Sequence, residues 1–105
     1  MSQFTVYQNK NPQTKKAYPY FVDIQSNLLE ALSTTVEIPL CSMSSMGQRP
    51  ITKLCPIVEV QNRKYVVLTQ QLAGIDKKHL GAEVSNLAEH RQAFIAAIDF
   101  VISGI

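Results

Sequence analysis

The stretch PIVEVQNRKYVVLTQ, residues 56–70, predicts two short strands joined by a tight turn. Its two arms, PIVEV and KYVVLTQ, are rich in the β-branched and aromatic residues that favour strands. Between them lies QNR, where Asn62 suits a tight turn because asparagine tolerates unusual backbone angles. This stretch therefore predicts an antiparallel β-hairpin.

Further strands are predicted on the N-terminal side of this hairpin. They are QFTVYQ, residues 3–8; YFVDIQS, residues 20–26; and TVEIPL, residues 35–40. The polar segment NKNPQTKKAYP between the first two is typical of a loop. Pro39, Pro50 and Pro56 are expected at strand ends or in connections, because proline cannot donate to a sheet ladder.

The C-terminal part of the chain changes to a helical period. Asn86 followed by Glu89 resembles a capping box, and good helix formers without Pro or Gly continue from there. The predicted core face carries Phe94, Ile95, Ile98, Val101 and Ile102. The opposite side carries Ala93, Ala96, Ala97 and Phe100 instead of charges. A second apolar side favours a second packing partner, so we expect a homodimer.

Composition indicates one folded domain over residues 1–105, with 46% hydrophobic and 17% charged residues. The net charge is only +2 and the basic residues are dispersed, which argues against direct nucleic-acid binding. MSQFTVYQNK lacks the pattern of a signal peptide. AFIAAIDFVISGI is shorter than the roughly 20 residues that span a membrane. We therefore expect a cytoplasmic protein without membrane contact.

No catalytic or metal-binding motif stands out in the sequence. Cys41 and Cys55 form no C-x-x-C pair, and His79 and His90 lack the spacing of metal ligands. The serines and glycines match neither a nucleophile elbow nor a phosphate-binding loop. The sequence predicts no cofactor, no metal and no catalytic residue.

Several local motifs together resemble the CcdB family of bacterial toxins. They occur in the order YFVDIQSNLLE, EIPL, CPIVEV, LGAEVSNLAEHR and a terminal GI. In that family F-V-D-[VI]-Q-S, I-P-L, a P-[IV]-V strand and G-x-E-V-x-x-L at the start of a helix follow one another in the same way. Each motif is short, but their shared order and spacing run the length of the chain.

The resemblance implies a mainly β fold, with a strongly bent antiparallel sheet of SH3-like barrel character and one C-terminal helix. It also implies a toxin that binds the A subunit of DNA gyrase as a homodimer and traps the enzyme on cleaved DNA. A CcdA-like antitoxin would neutralise it. Such a toxin acts by binding and is not itself an enzyme.

The resemblance also implies which residues make the contacts. The gyrase-binding positions are Leu28, Leu29, Asp99, Ile102, Ser103, Gly104 and Ile105. They are expected at the dimer centre. Ser103 stands where relatives commonly have Trp, and Asp99 where they have Asn. The contact is therefore expected to differ in strength or in the gyrase that it recognises. The loop with Lys10, Lys15 and Lys16 corresponds to one that helps hold the antitoxin.

Two other functions are compatible with the predicted features. The MazF and Kid toxins have this fold and act as endoribonucleases, and this is the principal alternative. A protein-binding module for some other target is a further possibility. A ribonuclease needs a general acid, a general base and a cation near the phosphate, and no recognisable motif of the chain arranges them.

Overall fold

The computed structural model describes residues 2–47 and 49–104. The regular elements are β1 (Thr5–Asn9), β2 (Tyr20–Asp23), β3 (Thr34–Ser42), β4 (Ile57–Val60), β5 (Arg63–Val67), β6 (Ala73–Asp76), β7 (Leu80–Asn86) and α1 (Arg91–Ser103). Single turns of 3-10 helix fill several of the connections. The five strands expected from sequence are all present, with β6 and β7 in addition.

The strands form a curled antiparallel half-barrel in the order β4-β5-β3-β2-β1-β7, and β6 pairs with the start of β3. Every adjacent pair is antiparallel. The expected fold class, a strongly bent antiparallel sheet with one C-terminal helix, is confirmed.

The hairpin between β4 and β5 is confirmed, with Val60 opposite Arg63. Both turn residues have positive φ, 51° at Gln61 and 66° at Asn62. Two consecutive residues with positive φ make the kind of turn whose twist matches the right-handed twist of the flanking strands. The tolerance of asparagine for positive φ, on which the predicted turn was based, is therefore used at Asn62.

Pro39 lies in the middle of β3, so its expected place at a strand end or in a connection is wrong. The carbonyl of Pro39 accepts the N–H of Leu68 at 3.0 Å, which fixes the side toward which its backbone groups point. On that side β6 pairs up to Glu37 and β5 takes over from Leu40. Pro39, which has no N–H, therefore lies between the part of β3 that pairs with β6 and the part that pairs with β5, so no ladder hydrogen bond is lost.

The segment LGAEVSN is a strand, which corrects the expectation that it begins the helix. As β7 it pairs with β1, with Thr5 opposite Asn86. The capping box does not form either, because the Asn86 side-chain oxygen accepts the N–H of Ala88 at 2.8 Å and α1 begins only at Arg91. The hydrogen bonds that make this segment a strand come from β1, which is distant in the chain.

The helix packs on the sheet through a narrower face than expected. Phe94 and Ala97 are buried, and the Phe94 ring stacks on Phe4 with centroids 5.5 Å apart. Ile95 and Ile102 lie about 80–100° around the helix from Phe94, and Ile102 is 79% exposed. The expected core face is therefore wrong for Ile95, Val101 and Ile102, whose large side chains remain exposed.

The main core fills the concave side of the sheet beneath the helix. It consists of Phe4, Val6, Val22, Ile38, Leu40, Val58, Val60, Tyr65, Val67, Leu87 and Phe94. A smaller cluster contains Cys41, Cys55, Val66 and Leu68. Both cysteines are free and buried, as expected for small apolar residues.

Candidate functional site

The first part of the candidate gyrase-binding surface is a single 3-10 turn, Asn27–Leu29, between β2 and β3. Leu28 is 93% exposed and Leu29 is 49% exposed. Burying a leucine side chain fully contributes about 1.5–3 kcal/mol. Large apolar side chains held in solvent are therefore available for a contact with another molecule.

Polar side chains hold this turn in place. The Ser26 hydroxyl accepts the N–H of Leu28 at 3.2 Å, and the Gln25 side-chain amide donates to the Leu29 carbonyl at 3.2 Å. The Asn27 side-chain oxygen accepts the backbone N–H of Gln3 at 2.8 Å. The sequence SNLL thus caps its own turn, while Gln3 anchors it to the chain before β1.

The second part of the surface is the end of α1. Asp99, Ile102 and Ser103 are exposed, and the Ser103 hydroxyl donates back to the Asp99 carbonyl at 2.7 Å. Gly104 has φ 74°, and its N–H donates to the Phe100 carbonyl at 2.9 Å. This left-handed residue closes the helix, which favours glycine because a Cβ is strained there. Ile105, also predicted in this surface, lies outside the described residues.

Within one protomer the two parts lie toward opposite ends of the helix. Gln3, which holds Asn27, also accepts a hydrogen bond at 3.3 Å from the guanidinium of Arg91, the first residue of α1. Ile102 lies roughly 16 Å further along the helix axis. In the described part of the chain no hydrogen bond or ring contact joins the two parts. One subunit alone does not bring them together.

Further exposed apolar side chains lie beside both parts and were missed by sequence reasoning. Leu32 is 50% exposed shortly after the leucine turn, and Val101 is 40% and Ile95 37% exposed on the helix. Ile95, Asp99 and Ile102 share one stripe of α1 at helical spacing. The angular offset of Ile95 and Ile102 from Phe94 was the sequence signal for this exposed stripe, although the predicted core face was broad enough to include all three residues.

The candidate antitoxin-binding lysines lie in the connection between β1 and β2. Lys10, Lys15 and Lys16 are exposed. This connection is ordered by Asn9, whose buried side-chain amide donates to Thr14 Oγ1 at 3.0 Å and to the Tyr18 carbonyl at 2.9 Å. The Asn9 oxygen accepts the N–H of Asn11 at 2.9 Å. The lysines are therefore presented on a structured loop.

The described residues offer neither a metal site nor a membrane-spanning helix. Within residues 2–47 and 49–104, no group of three or more His, Cys, Asp or Glu side chains converges as a metal site would require. None of the helices in this described part has the length and apolar character needed to cross a membrane. The exposed apolar residues are the main candidate contact surface.

Comparison with known proteins gives both a family and a fold. A family model described as the CcdB protein matches residues 3–104. The chain is similar in structure to the Mycobacterium tuberculosis toxin MazF-mt6, with TM-score 0.72, 16% identity, and coverage of 93% of this chain and 95% of that chain. A second solved structure, described as an Mtb toxin, matches with TM-score 0.70 and 17% identity over 91% of this chain and 98% of that one. At these identities the structural likeness shows the fold alone.

Proposed function

The chain belongs to the CcdB family, and from this premise we propose that it is the toxin of a type II toxin–antitoxin system. It binds the A subunit of DNA gyrase and traps the complex of gyrase with cleaved DNA. The observation that carries the proposal is the family match over residues 3–104, which includes both predicted contact segments except Ile105. The chain acts by binding and is not a catalyst.

The exposed apolar residues support a binding role. Leu28 and Ile102 expose 93% and 79% of their surface, and Leu29 lies beside the first. Contiguous apolar side chains in solvent commonly mark contacts with other proteins. Ser103, in place of the aromatic residue of relatives, leaves Leu28, Leu29 and Ile102 to supply most of the apolar area.

A homodimer would join the exposed helix ends of the two subunits. A twofold axis near the end of α1 would bring together Ile102 and Gly104 of both subunits. The exposed stripe of Ile95 and Ile102 supplies apolar area for such an arrangement. Light scattering at micromolar concentration should give the dimer mass, and a stable monomer would exclude the dimeric site.

The decisive experiment is supercoiling of plasmid DNA by purified gyrase, with and without the protein. We expect loss of supercoiling and accumulation of linear DNA after denaturation, since cleaved DNA is trapped. Leu28→Glu and Ile102→Glu should each abolish both effects, because a buried unpaired carboxylate opposes binding. Ile51→Glu is the matched control, since Ile51 is 63% exposed but lies outside the predicted surface. Unchanged supercoiling and no linear DNA with folded wild-type protein would refute gyrase poisoning.

Neutralisation is proposed to involve an acidic, partly disordered segment of a CcdA-like antitoxin that folds on the toxin. Lys10, Lys15 and Lys16 complement such a segment in charge. Replacing all three by Glu should weaken binding and reduce its salt dependence. The same charge change at Arg63, Lys64 and Lys78, which are also exposed, is the control. Equal losses in both variants would indicate a nonspecific charge effect.

The ribonuclease alternative is tested on single-stranded RNA with the same preparations. The MazF-type neighbours share the fold at 16–17% identity, which does not transfer their activity. We expect no cleavage at protein concentrations that poison gyrase. Dose-dependent cleavage that is lost on replacing a single His or Arg would favour the ribonuclease instead.

A further inference from the structure

Two neighbouring hollows form a groove on the face of the sheet opposite to the main core. The walls of the first hollow, of about 220 Å³, include Phe21, Pro39, Ala73 and Ile75. The walls of the second, of about 420 Å³, include Ala17, Cys41, Met46 and Leu68. Tyr18 and Gln71 line both hollows, which together are called the outer groove. None of the candidate gyrase-binding residues that the structure describes lines it.

Strand β3 provides the floor of the outer groove and fixes the spacing of its hollows. Side chains alternate along a strand, so Pro39 and Cys41 lie on the face opposite to Ile38 and Leu40 of the main core. Pro39 lines the first hollow and Cys41 the second. Residues two apart in a strand are separated by roughly 7 Å. This is also the spacing of side chains i and i+2 in an extended ligand.

Each hollow has room for one large apolar side chain. An apolar cavity of about 150 Å³ can hold benzene, and both hollows are larger. Met46 in the second hollow has a flexible side chain that adapts to different shapes. Glu37 belongs to the lining of the first hollow, but its side chain has no exposed surface to offer a ligand. The accessible walls are therefore mostly apolar.

Backbone hydrogen bonds hold the walls in place before any partner binds. The N–H of Tyr18 donates to the Thr14 carbonyl at 2.9 Å, and the Tyr18 carbonyl accepts the Asn9 side-chain amide at 2.9 Å. The Pro39 carbonyl accepts the N–H of Leu68 at 3.0 Å, which links the two hollows. A preformed site loses less conformational entropy when it binds. The outer groove is thus suited to receive a flexible segment.

Positive charge borders the outer groove. Lys10 is flanked in sequence by two residues that line the first hollow. Lys15 and Lys16 lie between one residue of the first hollow and one of the second, Thr14 and Ala17. All three lysines are exposed, and no described residue of the lining presents an exposed carboxylate. A ligand with apolar side chains flanked by negative charges complements this arrangement.

We propose that the outer groove binds an acidic, extended segment of the antitoxin through two large apolar side chains at positions i and i+2, one in each hollow. This inference rests on the proposed function, since it takes the antitoxin as the source of the segment. The two apolar side chains supply most of the affinity, because well-packed anchors dominate binding. The acidic side chains around them pair with the lysines and fix the register of the segment.

Two other occupants fit less well. A second copy of the chain, related by a twofold axis, would bring its own three lysines against these, and like charges oppose such a contact. A single-stranded nucleic acid would satisfy the lysines, but such ligands stack their bases on successive aromatic side chains. Most wall side chains here are aliphatic, including Pro39, Ile75 and Leu68. An acidic peptide matches both the charge and the walls.

Synthetic peptides test the chemistry of the segment. The probe is a seven-residue peptide with blocked ends, leucines at its third and fifth positions, and glutamates elsewhere. Isotope-labelled protein is titrated with it at pH 7 while NMR shifts are followed. We expect a Kd on the order of 1 mM, an ordinary value for so short a ligand. Shifted signals should include Ala17, Tyr18 and Ile75.

Matched peptides separate the two contributions. A peptide of the same composition with leucines at its third and fourth positions should bind about five- to tenfold more weakly. Adjacent side chains of an extended segment point to opposite sides, so only one leucine can enter the groove. Replacing the glutamates by glutamines should also weaken binding several-fold and remove its salt dependence. A uridine heptanucleotide should not bind in the groove.

Variants locate the binding site. Ala17→Glu and Ala73→Glu each add a carboxylate to one hollow, and both alanines are exposed. Each change should weaken binding of the probe at least about tenfold, because it repels the glutamates and places a charge against a leucine. Ala88→Glu, at an exposed alanine outside both hollows, is the control and should stay within about twofold. All three variants should still poison gyrase.

The outcomes distinguish this inference from the proposed function. If the protein poisons gyrase but does not bind the probe, only the outer-groove proposal fails. If the probe binds as expected but gyrase is not poisoned, the gyrase proposal fails and the groove stands. Equal binding by the peptide with adjacent leucines, or unchanged binding by both folded groove variants, would overturn the groove proposal. Tighter binding of the uridine heptanucleotide at the same residues would assign the groove to nucleic acid instead.

Discussion

Asp23 of β2 and Glu37 of β3 are direct cross-strand neighbours, and both carboxyl groups are buried in the sheet. Asp23 accepts the Thr35 hydroxyl at 2.7 Å and the N–H of Gln25 at 3.3 Å, whereas no N–H or hydroxyl group of the described residues donates to the Glu37 carboxyl oxygens. Two acidic groups side by side in a protein interior cannot both ionise cheaply. One of them, Glu37, therefore remains protonated.

This pair makes stability depend on pH. Burial and the Asp23 carboxyl raise the pKa of Glu37 from 4.5 to about 10. Between these values the folded state holds a proton that the unfolded state releases, so stability decreases as pH rises. Chemical denaturation at pH 5 and pH 8 should show this loss, with a slope of at most about 1.4 kcal/mol per pH unit. Glu37→Gln should reduce the slope, and an identical slope in that variant would exclude Glu37 as its origin.

Asn9 should control the loop that carries the lysines. Asn9→Ala removes its bonds to Thr14, Tyr18 and Asn11, and should destabilise the fold by about 1–3 kcal/mol. Amide hydrogen exchange in residues 11–18 should accelerate. Gln8→Ala, on the exposed neighbouring position, should stay within about 0.5 kcal/mol. Equal effects of both changes would contradict a specific role for Asn9.

Phe94 should dominate the attachment of α1 to the sheet. Phe94→Ala removes a fully buried ring that stacks on Phe4 and should cost about 3–5 kcal/mol in unfolding free energy. Ile95→Ala, at the next position but 37% exposed, should change protomer stability by about 1 kcal/mol or less. Urea denaturation of both variants, at a protein concentration where light scattering gives the monomer mass, measures the difference, and similar losses would indicate a wider core face.

Gly104 should stabilise the end of the helix through its left-handed backbone conformation and not through side-chain packing. A Cβ on Gly104 would have no heavy atom within 4 Å, but φ is 74°. Gly104→Ala should therefore cost about 1 kcal/mol from left-handed strain and increase amide exchange near Phe100. Gly104→Asn should be milder, because asparagine tolerates this region. An alanine variant with unchanged exchange would show that the helix end is not fixed by this residue.

The sequence by itself determined the features that depend on neighbouring residues. Asn62 selected the hairpin turn because its φ preference acts within the turn itself. β-branched residues marked the first five strands, and the absence of Pro and Gly from residues 88–103 marked the helix. The family resemblance came from short local motifs in a fixed order. Each of these signals can be recognised without knowledge of the rest of the fold, because the residues that carry it are adjacent in the chain.

Only the tertiary structure decided the features that depend on distant partners. LGAEVSN became β7 because β1 supplies its hydrogen bonds, and Pro39 is tolerated inside β3 because two strands meet beside it. The helix turned Phe94 and Ala97 inward because Phe4 offers a stacking partner, which left Ile95 and Ile102 in solvent. Glu37 is fully buried beside Asp23 because β2 and β6 pair with β3 on its two sides. Burial and pairing arise from contacts between segments far apart in sequence, so local composition could not reveal them.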